Sequence, residues 1–277
     1  MEDSDENRDL GDWEEIEIRE KPEYEKERVM DDEFDEFRKR VKDSERFDTE
    51  EEVFDVATLR ALYKLVSDGV VEAIGRPVST GKEGNVFEAV GEDRDLALKI
   101  YRINTSSFKD MRYYLEGDPR FEGIRDQKKE VVLAWVRKEF SNLKRAREAG
   151  VRVPEPIAVE RNILAMEFIG VGAEGKQAPQ LKEVEIENPE TAFEVVAEYM
   201  ERLYDAGLVH GDLSEYNILV YDGDLVVIDV GQAVTVHHPN SRDILKTDCK
   251  NVARFFSSLG VEVTKEGLLE RVAGKTD

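Results

Sequence analysis

Three polar side chains stand at fixed intervals between apolar runs in LVHGDLSEYNILVYDGDLVVIDVG, the segment from Leu208 to Gly231. Asp212 and Asn217 are five positions apart, and Asp229 closes the apolar run Leu225 to Ile228. A tight loop closed by a strand would let Asp212 orient a hydroxyl or a water while Asn217 and Asp229 hold a magnesium ion from opposite sides. That is the arrangement phosphoryl transfer requires. Capping of turns is the plainer use of Asp and Asn. His210 suits support of this loop through hydrogen bonds better than proton transfer.

Upstream, Ser79, Gly81, Gly84 and Val86 fall in the places of a G-x-G-x-x-G-x-V loop, with serine for the first glycine. The turn Ser79-Thr80-Gly81-Lys82-Glu83-Gly84 can bring backbone amides close to phosphate oxygens. A glycine hairpin between strands is more often purely structural. Thirteen residues after Val86, Lys99 interrupts the apolar strand Leu96 to Ile100. An inward lysine is costly unless paired. Glu139 is the natural partner, because it lies on the apolar helical stripe Val132, Trp135, Val136, Phe140 and Leu143, where a carboxylate needs a cation. Together they would fix the ammonium against nucleotide phosphates. Met166-Glu167-Phe168-Ile169 ends a strand, and the backbone of Glu167 and Ile169 suits the edge of an adenine with Met166 behind it; a plain strand end is the competing reading.

The elements that must position these groups follow from hydrophobic period. Val56, Leu59, Leu62, Tyr63 and Val66 predict a helix ending near Gly69. Strands are expected over Ile74 to Val78, Asn85 to Val90, Leu96 to Arg102, Val153 to Val159 and Ile163 to Phe168. A mobile loop is expected from Asn104 to Lys128, with Gly117-Asp118-Pro119 as a breaker. The Glu139 helix stops at Gly150. Gly170, Gly172 and Gly175 mark a flexible crossing, and a helix from Pro189 to Ala206 leads into the catalytic unit. The domain reading is a tail over 1–52, an N-terminal helix and upper lobe over 53–169, and a hinge and lower lobe over 170–277.

The chain has 277 residues, enough for a sizeable core, and a formal net charge of −23. General attraction to nucleic acid or to an anionic membrane is therefore excluded over most of the surface. Residues 1–50 hold few apolar side chains and read as a disordered acidic tail with a transient helix around Asp32 to Lys42. Nothing resembles a membrane span or a signal peptide. The single Cys249 fits a reducing cytosol, so a cytoplasmic location is expected. Lys138, Lys144, Arg145 and Arg147 concentrate positive charge on one helix, as an RNA contact or as an ordinary solvated face.

These residues resemble the RIO family of atypical serine/threonine protein kinases, most closely its type 1 branch. The resemblance rests on STGKEGNVFEA (79–89), LALKIYR (96–102), WVRKEFSNLKRAREAGVRVPEPIAV (135–159), LVHGDLSEYNILV (208–220), IDVGQAVTVHHP (228–239) and TDCKNVARFF (247–256). It implies an α+β, two-lobed protein-kinase-like fold with a small β-rich N-lobe, a truncated helical C-lobe and an N-terminal helix. It implies ATP with magnesium, manganese being an alternative metal. Lys99 would bind phosphates, Asp212 would be catalytic, and Asn217 and Asp229 would bind the metal. Asp229 would also become transiently phosphorylated. The expected role is late maturation of the small ribosomal subunit, with its precursor particle and assembly factors as partners and ATP hydrolysis timing release.

The sequence departs from ordinary protein kinases in ways that bear on mechanism. Gly211 replaces the arginine that pairs with a phosphorylated activation loop, and Ser214 stands where a lysine commonly meets the transferred phosphate. No A-P-E sequence follows Asp229, so the expectation is that the lobe which cradles a peptide is missing. Two rival classes stay open at this point. One is small-molecule phosphotransfer of the aminoglycoside or choline kinase type, which shares an H-G-D-x-x-x-x-N loop; the other is a non-catalytic assembly factor.

Overall fold

The computed structural model describes Phe34, Phe37 and residues 54–105, 107–125, 127–171 and 176–274. The chain separates into two units, Met1–Asp43 and Ser44–Asp277, and the candidate site belongs wholly to the second. The acidic tail and the Asp32 to Lys42 helix lie outside the described residues apart from Phe34 and Phe37, both helical. Ser106, Gly172 and Gly175 also lie outside them.

Helix α1 (Val56–Ser67) begins where Asp55 accepts the Thr58 amide at 2.7 Å, satisfying a donor that the first turn leaves open. Its Leu59 and Leu62 are buried at helical spacing. Asn162 ties this helix to the sheet, donating to Thr58 Oγ1 at 3.0 Å and to the Tyr101 carbonyl at 2.8 Å. The sheet is antiparallel with order β1-β2-β3-β5-β4, formed by β1 (Ala73–Thr80), β2 (Gly84–Val90), β3 (Asp95–Tyr101), β4 (Pro156–Glu160) and β5 (Ile163–Glu167). Four of these match expectation to within a few residues. The Val153 to Val159 strand starts late, at Pro156, because the Glu167 carboxylate takes the Glu155 amide at 3.0 Å and grips Arg152 through two bonds. Lys99 sits mid-sheet between Val86 and Leu164. Period-two alternation places it on the face of Ala97 and Tyr101, opposite Leu98 and Ile100.

The expected loop from Asn104 to Lys128 is corrected: it contains helix α2 (Phe108–Leu115) and a 3-10 turn at Pro119–Phe121. Phe108, Met111 and Leu115 do share one face, but charged neighbours hide so short a stripe. A helix of 8 residues does not stand alone in water. Burying Met111 and Leu115 contributes about 1.5–3 kcal/mol each, and Tyr114 meets Trp135 edge-on at 6.1 Å. A buried Asp118 paired with Arg120 at 2.7 Å closes the segment.

Helix α3 (Lys128–Glu148) lies behind the sheet and carries Trp135, Lys138, Glu139 and Asn142. Its buried residues join those of the lower lobe in one continuous core, Trp135 and Leu143 with Val230 and Ala233. After the short pair β6 (Gly170–Val171) and β7 (Lys176–Gln177), α4 (Pro189–Asp205) packs with α5 (Ser241–Ser258) and α6 (Lys265–Ala273). Phe193 and Phe256 meet at 5.5 Å inside that cluster. Two antiparallel pairs, β8 (Leu208–Val209) with β11 (Val234–Thr235) and the hairpin β9 (Ile218–Tyr221) with β10 (Asp224–Val227), bracket the polar loops.

Candidate active site

The turn between β1 and β2 closes through the Gly81 amide on the Gly84 carbonyl at 2.9 Å. Gly84 is required for a reason unrelated to phosphate: a Cβ there would stand 2.3 Å from the Ile100 carbonyl of β3. The tip is tied down by the Arg102 amide on the Glu83 carbonyl at 2.8 Å and by Thr105 Oγ1 on the Lys82 carbonyl at 3.1 Å. Beneath the turn lies a cavity of about 310 Å³. Ser79, Thr80, Gly81, Lys82, Glu83, Gly84 and Val86 all border it, as do Lys99, Glu139, Met166, Glu167, Ile169 and Asp229. At the strand end, the Ile169 carbonyl already accepts the Ala178 amide at 2.9 Å, and the Glu167 amide is spent on Glu155 at 2.8 Å. Among the described residues the Ile169 amide is left to an incoming acceptor.

Lys99 Nζ bridges Glu139 Oε1 at 2.7 Å and Asp229 Oδ1 at 2.9 Å. Glu139 is 1% exposed, and the Tyr101 hydroxyl donates to its second oxygen. Burial works against the Lys99 ammonium, but the Asp229 and Glu139 carboxylates outweigh it and hold its pKa well above the ordinary value. Asp229 in turn is lowered, chiefly by Lys99. Glu83 is pushed up to about 7, by burial first and then by the Asp229 charge.

Asp229 has a left-handed backbone, φ 60 and ψ 58, uncommon for a non-glycine residue though less so for aspartate. The 3-10 turn Val230–Gln232 that follows it is held from α3. Lys138 Nζ donates to the carbonyls of Gly231 and Ala233, both at 2.6 Å, and Asn142 Nδ2 to those of Val230 and Ala233, both at 3.0 Å. Lys138 is 0% exposed. Its membership of an RNA-binding patch is therefore corrected: no phosphate can reach it.

In the loop after β8, Asn217 Nδ2 donates to the Asp212 carbonyl at 2.7 Å and to Asp212 Oδ2 at 3.1 Å. The Ile228 amide donates to the Asn217 carbonyl at 2.9 Å, which ties this loop to the residue before Asp229. Asp212 and Asn217 do not border the nucleotide-sized cavity; they meet the site through Asp229. Asp212 is raised by burial, partly offset by the Asn217 bond, with Asp229 adding to the rise. His210 accepts the Asp212 amide on Nδ1 at 3.3 Å, so its Nε2 carries the proton toward the Ile228 carbonyl at 3.2 Å. Burial pushes its pKa down to about 4, which keeps the ring neutral.

Asp248, which lies outside the catalytic motifs, organises the loop. From α5 it accepts the amides of Gly211 at 2.8 Å and Leu213 at 2.9 Å, on either side of Asp212. Its signal was present: like Glu139, it is a carboxylate on an apolar helical stripe, between Leu245 and Val252. Gly211 also gains a reason, since its φ of +86 and a Cβ position 2.8 Å from the Gln232 carbonyl exclude any side chain.

Asn217 spends its amide protons on Asp212, so its free oxygen suits a hard cation, and Asp229 adds a carboxylate. The donor set therefore fits magnesium, which keeps several non-protein oxygens such as phosphates and waters. Asp229 carries the charge that raises both Glu83 and Asp212, and a cation held there would offset that repulsion. Among the described residues no helix is long and apolar enough to cross a membrane.

A family model described as the RIO domain matches residues 85–268. The chain is 59% identical to the RIO-type serine/threonine-protein kinase Rio1 of Haloferax volcanii, over 95% of this chain and 90% of that protein. It is 39% identical to Rio1 of Methanocaldococcus jannaschii, over 87% and 84%. Against the serine/threonine-protein kinase RIO1 of Saccharomyces cerevisiae it is 36% identical and spans 54% of that protein's length. Among solved structures, the Rio2 kinase–ADP/Mg2+–phosphoaspartate complex of Chaetomium thermophilum matches with a TM-score of 0.59 at 23% identity, covering 80% of this chain and 67% of that one. That likeness bears out the two-lobed α+β, kinase-like fold.

Proposed function

The chain belongs to the RIO family, and from that premise we propose that it is an ATP- and magnesium-dependent serine/threonine kinase with ATPase activity. We place its work in the cytoplasm, in late maturation of the small ribosomal subunit. The observation that carries the catalytic reading is one ammonium, Lys99, joined to Glu139 at 2.7 Å and Asp229 at 2.9 Å in the wall of a cavity roofed by the glycine turn. An adenine against Met166 and the Ile169 amide would send a triphosphate under that turn toward Lys99. Lys99 then meets phosphate oxygens, and Glu139 with Tyr101 fixes where its ammonium points. Magnesium, or manganese in its place, supplies charge neutralisation for the phosphates and would be held by Asn217 and Asp229.

Asp212 orients the acceptor hydroxyl of a serine or of water. It takes the proton of that hydroxyl as the γ-phosphoryl passes to the oxygen and ADP departs. Burial and the Asp229 charge, which raise Asp212, make it a better base than a surface aspartate. Asp248 and His210 hold the loop while this happens. Asp229 is the candidate for transient phosphorylation, an idea supported by the phosphoaspartate described for the Rio2 complex.

The partners in this reading are the small-subunit precursor and its assembly factors. An rRNA contact through the helix face is reduced to Lys144, Arg145 and Arg147, of which Arg147 is 3.5 Å from Glu155. The test is ATP turnover with and without pre-ribosomal particles, in wild type and Asp212→Ala. Turnover that responds to particles and is abolished by the substitution supports the proposal; equal rates in both proteins end the catalytic part of it.

A further inference from the structure

Lys138 is a buried amine with no carboxylate within ion-pair distance among the described residues, and burial, then the Arg120 charge, push its pKa down to about 7. Its strong partners are two carbonyls, Gly231 and Ala233, with the Trp135 ring 4.9 Å away on one side and the Tyr114 ring at 5.9 Å. Desolvating an ammonium to bind carbonyls is an expensive way to fill a core. What distinguishes those carbonyls is their place in the chain, directly after the left-handed Asp229.

Trp135, Lys138 and Asn142 recur at positions i, i+3 and i+7, on one face of α3. All three grip the same turn: Asn142 takes the Val230 and Ala233 carbonyls, and the Trp135 ring lies so close to Gly231 that a Cβ there would be 3.2 Å from it. The neighbouring residue on α3 is Glu139, the partner of Lys99. One helix therefore holds Glu139 directly and Asp229 through its turn, and Lys99 bonds both.

We propose that Lys138 is a positioning residue for Asp229, locking the turn after it onto the helix that carries Glu139 so that the metal-holding carboxylate is set before any nucleotide arrives. The proposal rests on the magnesium-dependent reading above and deepens it. It also gives the site a character: the Glu139 helix and the Asp229 turn move as one body, so Glu139 cannot swing away from Lys99 while Asp229 stays.

The experiment compares wild type with Lys138→Met, which keeps the apolar stem and removes the ammonium. Amide hydrogen exchange over the 230–233 turn, in protein free of metal and nucleotide, should speed up at least about 10-fold relative to helices α4 and α5. The magnesium concentration for half-maximal ATP turnover should rise roughly 10- to 100-fold, the usual effect of losing a group that orients a metal ligand. ATP affinity in the absence of metal should change little, because Lys99 is untouched. A Lys138 that merely fills the core would lower the melting temperature and leave both the local exchange and the magnesium response at wild-type values; that result overturns the proposal. Should Lys138→Met fail to fold, Asn142→Ala removes the two 3.0 Å bonds to the same turn and must shift both readouts in the same direction. An unchanged response there overturns it equally. Wild type lacking magnesium-dependent turnover sinks both readings, whereas active wild type with variants that share its magnesium response sinks only this one.

Discussion

Replacing Lys99 by methionine isolates the energetics of the central bridge. Lys99 is 13% exposed and Glu139 1%, so their contact at 2.7 Å is shielded from water. At an effective dielectric constant of about 20 its Coulomb energy is about 6 kcal/mol, most of which is offset by desolvation of both groups. Removing one partner abolishes the attraction and leaves the other's desolvation in place. The expected loss for Lys99→Met is therefore about 3–5 kcal/mol. The Asp229 arm, half exposed, gives Lys99 a second partner that water screens more strongly. Glu139→Gln leaves Lys99 with Asp229 and should cost less. The double variant, with neither charge buried, should recover much of the loss, giving a coupling energy of about 2–3 kcal/mol. Urea unfolding of the nucleotide-free proteins at neutral pH measures all four corners of the cycle. Single losses that simply add would refute the claim that Glu139 is buried for the sake of Lys99.

Three other outcomes follow from the geometry. His210 has a pKa of about 4 in the folded protein against about 6.5 unfolded; the unfolded chain binds the extra proton, so the His210 contribution to stability should be flat above pH 6.5 and fall by up to about 3.4 kcal/mol as pH drops to 4, opposite in sign to those of Glu83 and Asp248, both raised to about 7, and the difference between wild type and a His210→Gln variant in denaturation curves should carry that slope. Asp248→Asn turns one acceptor oxygen into a donor facing a backbone amide, so it should cost about 2–4 kcal/mol and lower kcat more than it alters the KM for ATP, as steady-state kinetics can check. Gly84→Ala forces a Cβ to 2.3 Å from the Ile100 carbonyl, so β2 must shift from β3 and raise the KM for ATP; unaltered binding in a nucleotide titration would contradict the roof role of this turn.

Much of the site could be read from residue order. Glu139 was marked by its place on an apolar helical stripe, and its bond to Lys99 spans 40 positions. The same reasoning, applied to Asp248 between Leu245 and Val252, would have found the anchor of the catalytic loop, but no inward cation was at hand to name as its partner. Its partners are backbone amides, which every residue carries and no sequence pattern marks. The three apolar residues of helix α2 stand among charges and carry too weak a period to predict a helix; Trp135 and α3 supply the surface that makes it form.

The amino-acid sequence by itself determined which side chains carry the chemistry, their order, and the strands and helices that bear them, because periods of two and 3.6 residues and the needs of buried charge act over short stretches. Only the tertiary structure decided where Lys138 goes. Its charge and its neighbours describe a surface lysine, yet its partners lie 93 and 95 positions away, at the turn after Asp229. Burial is a property of what packs against a residue, and for Lys138 that is a distant backbone turn whose carbonyls become binding groups only once the lobes share one core.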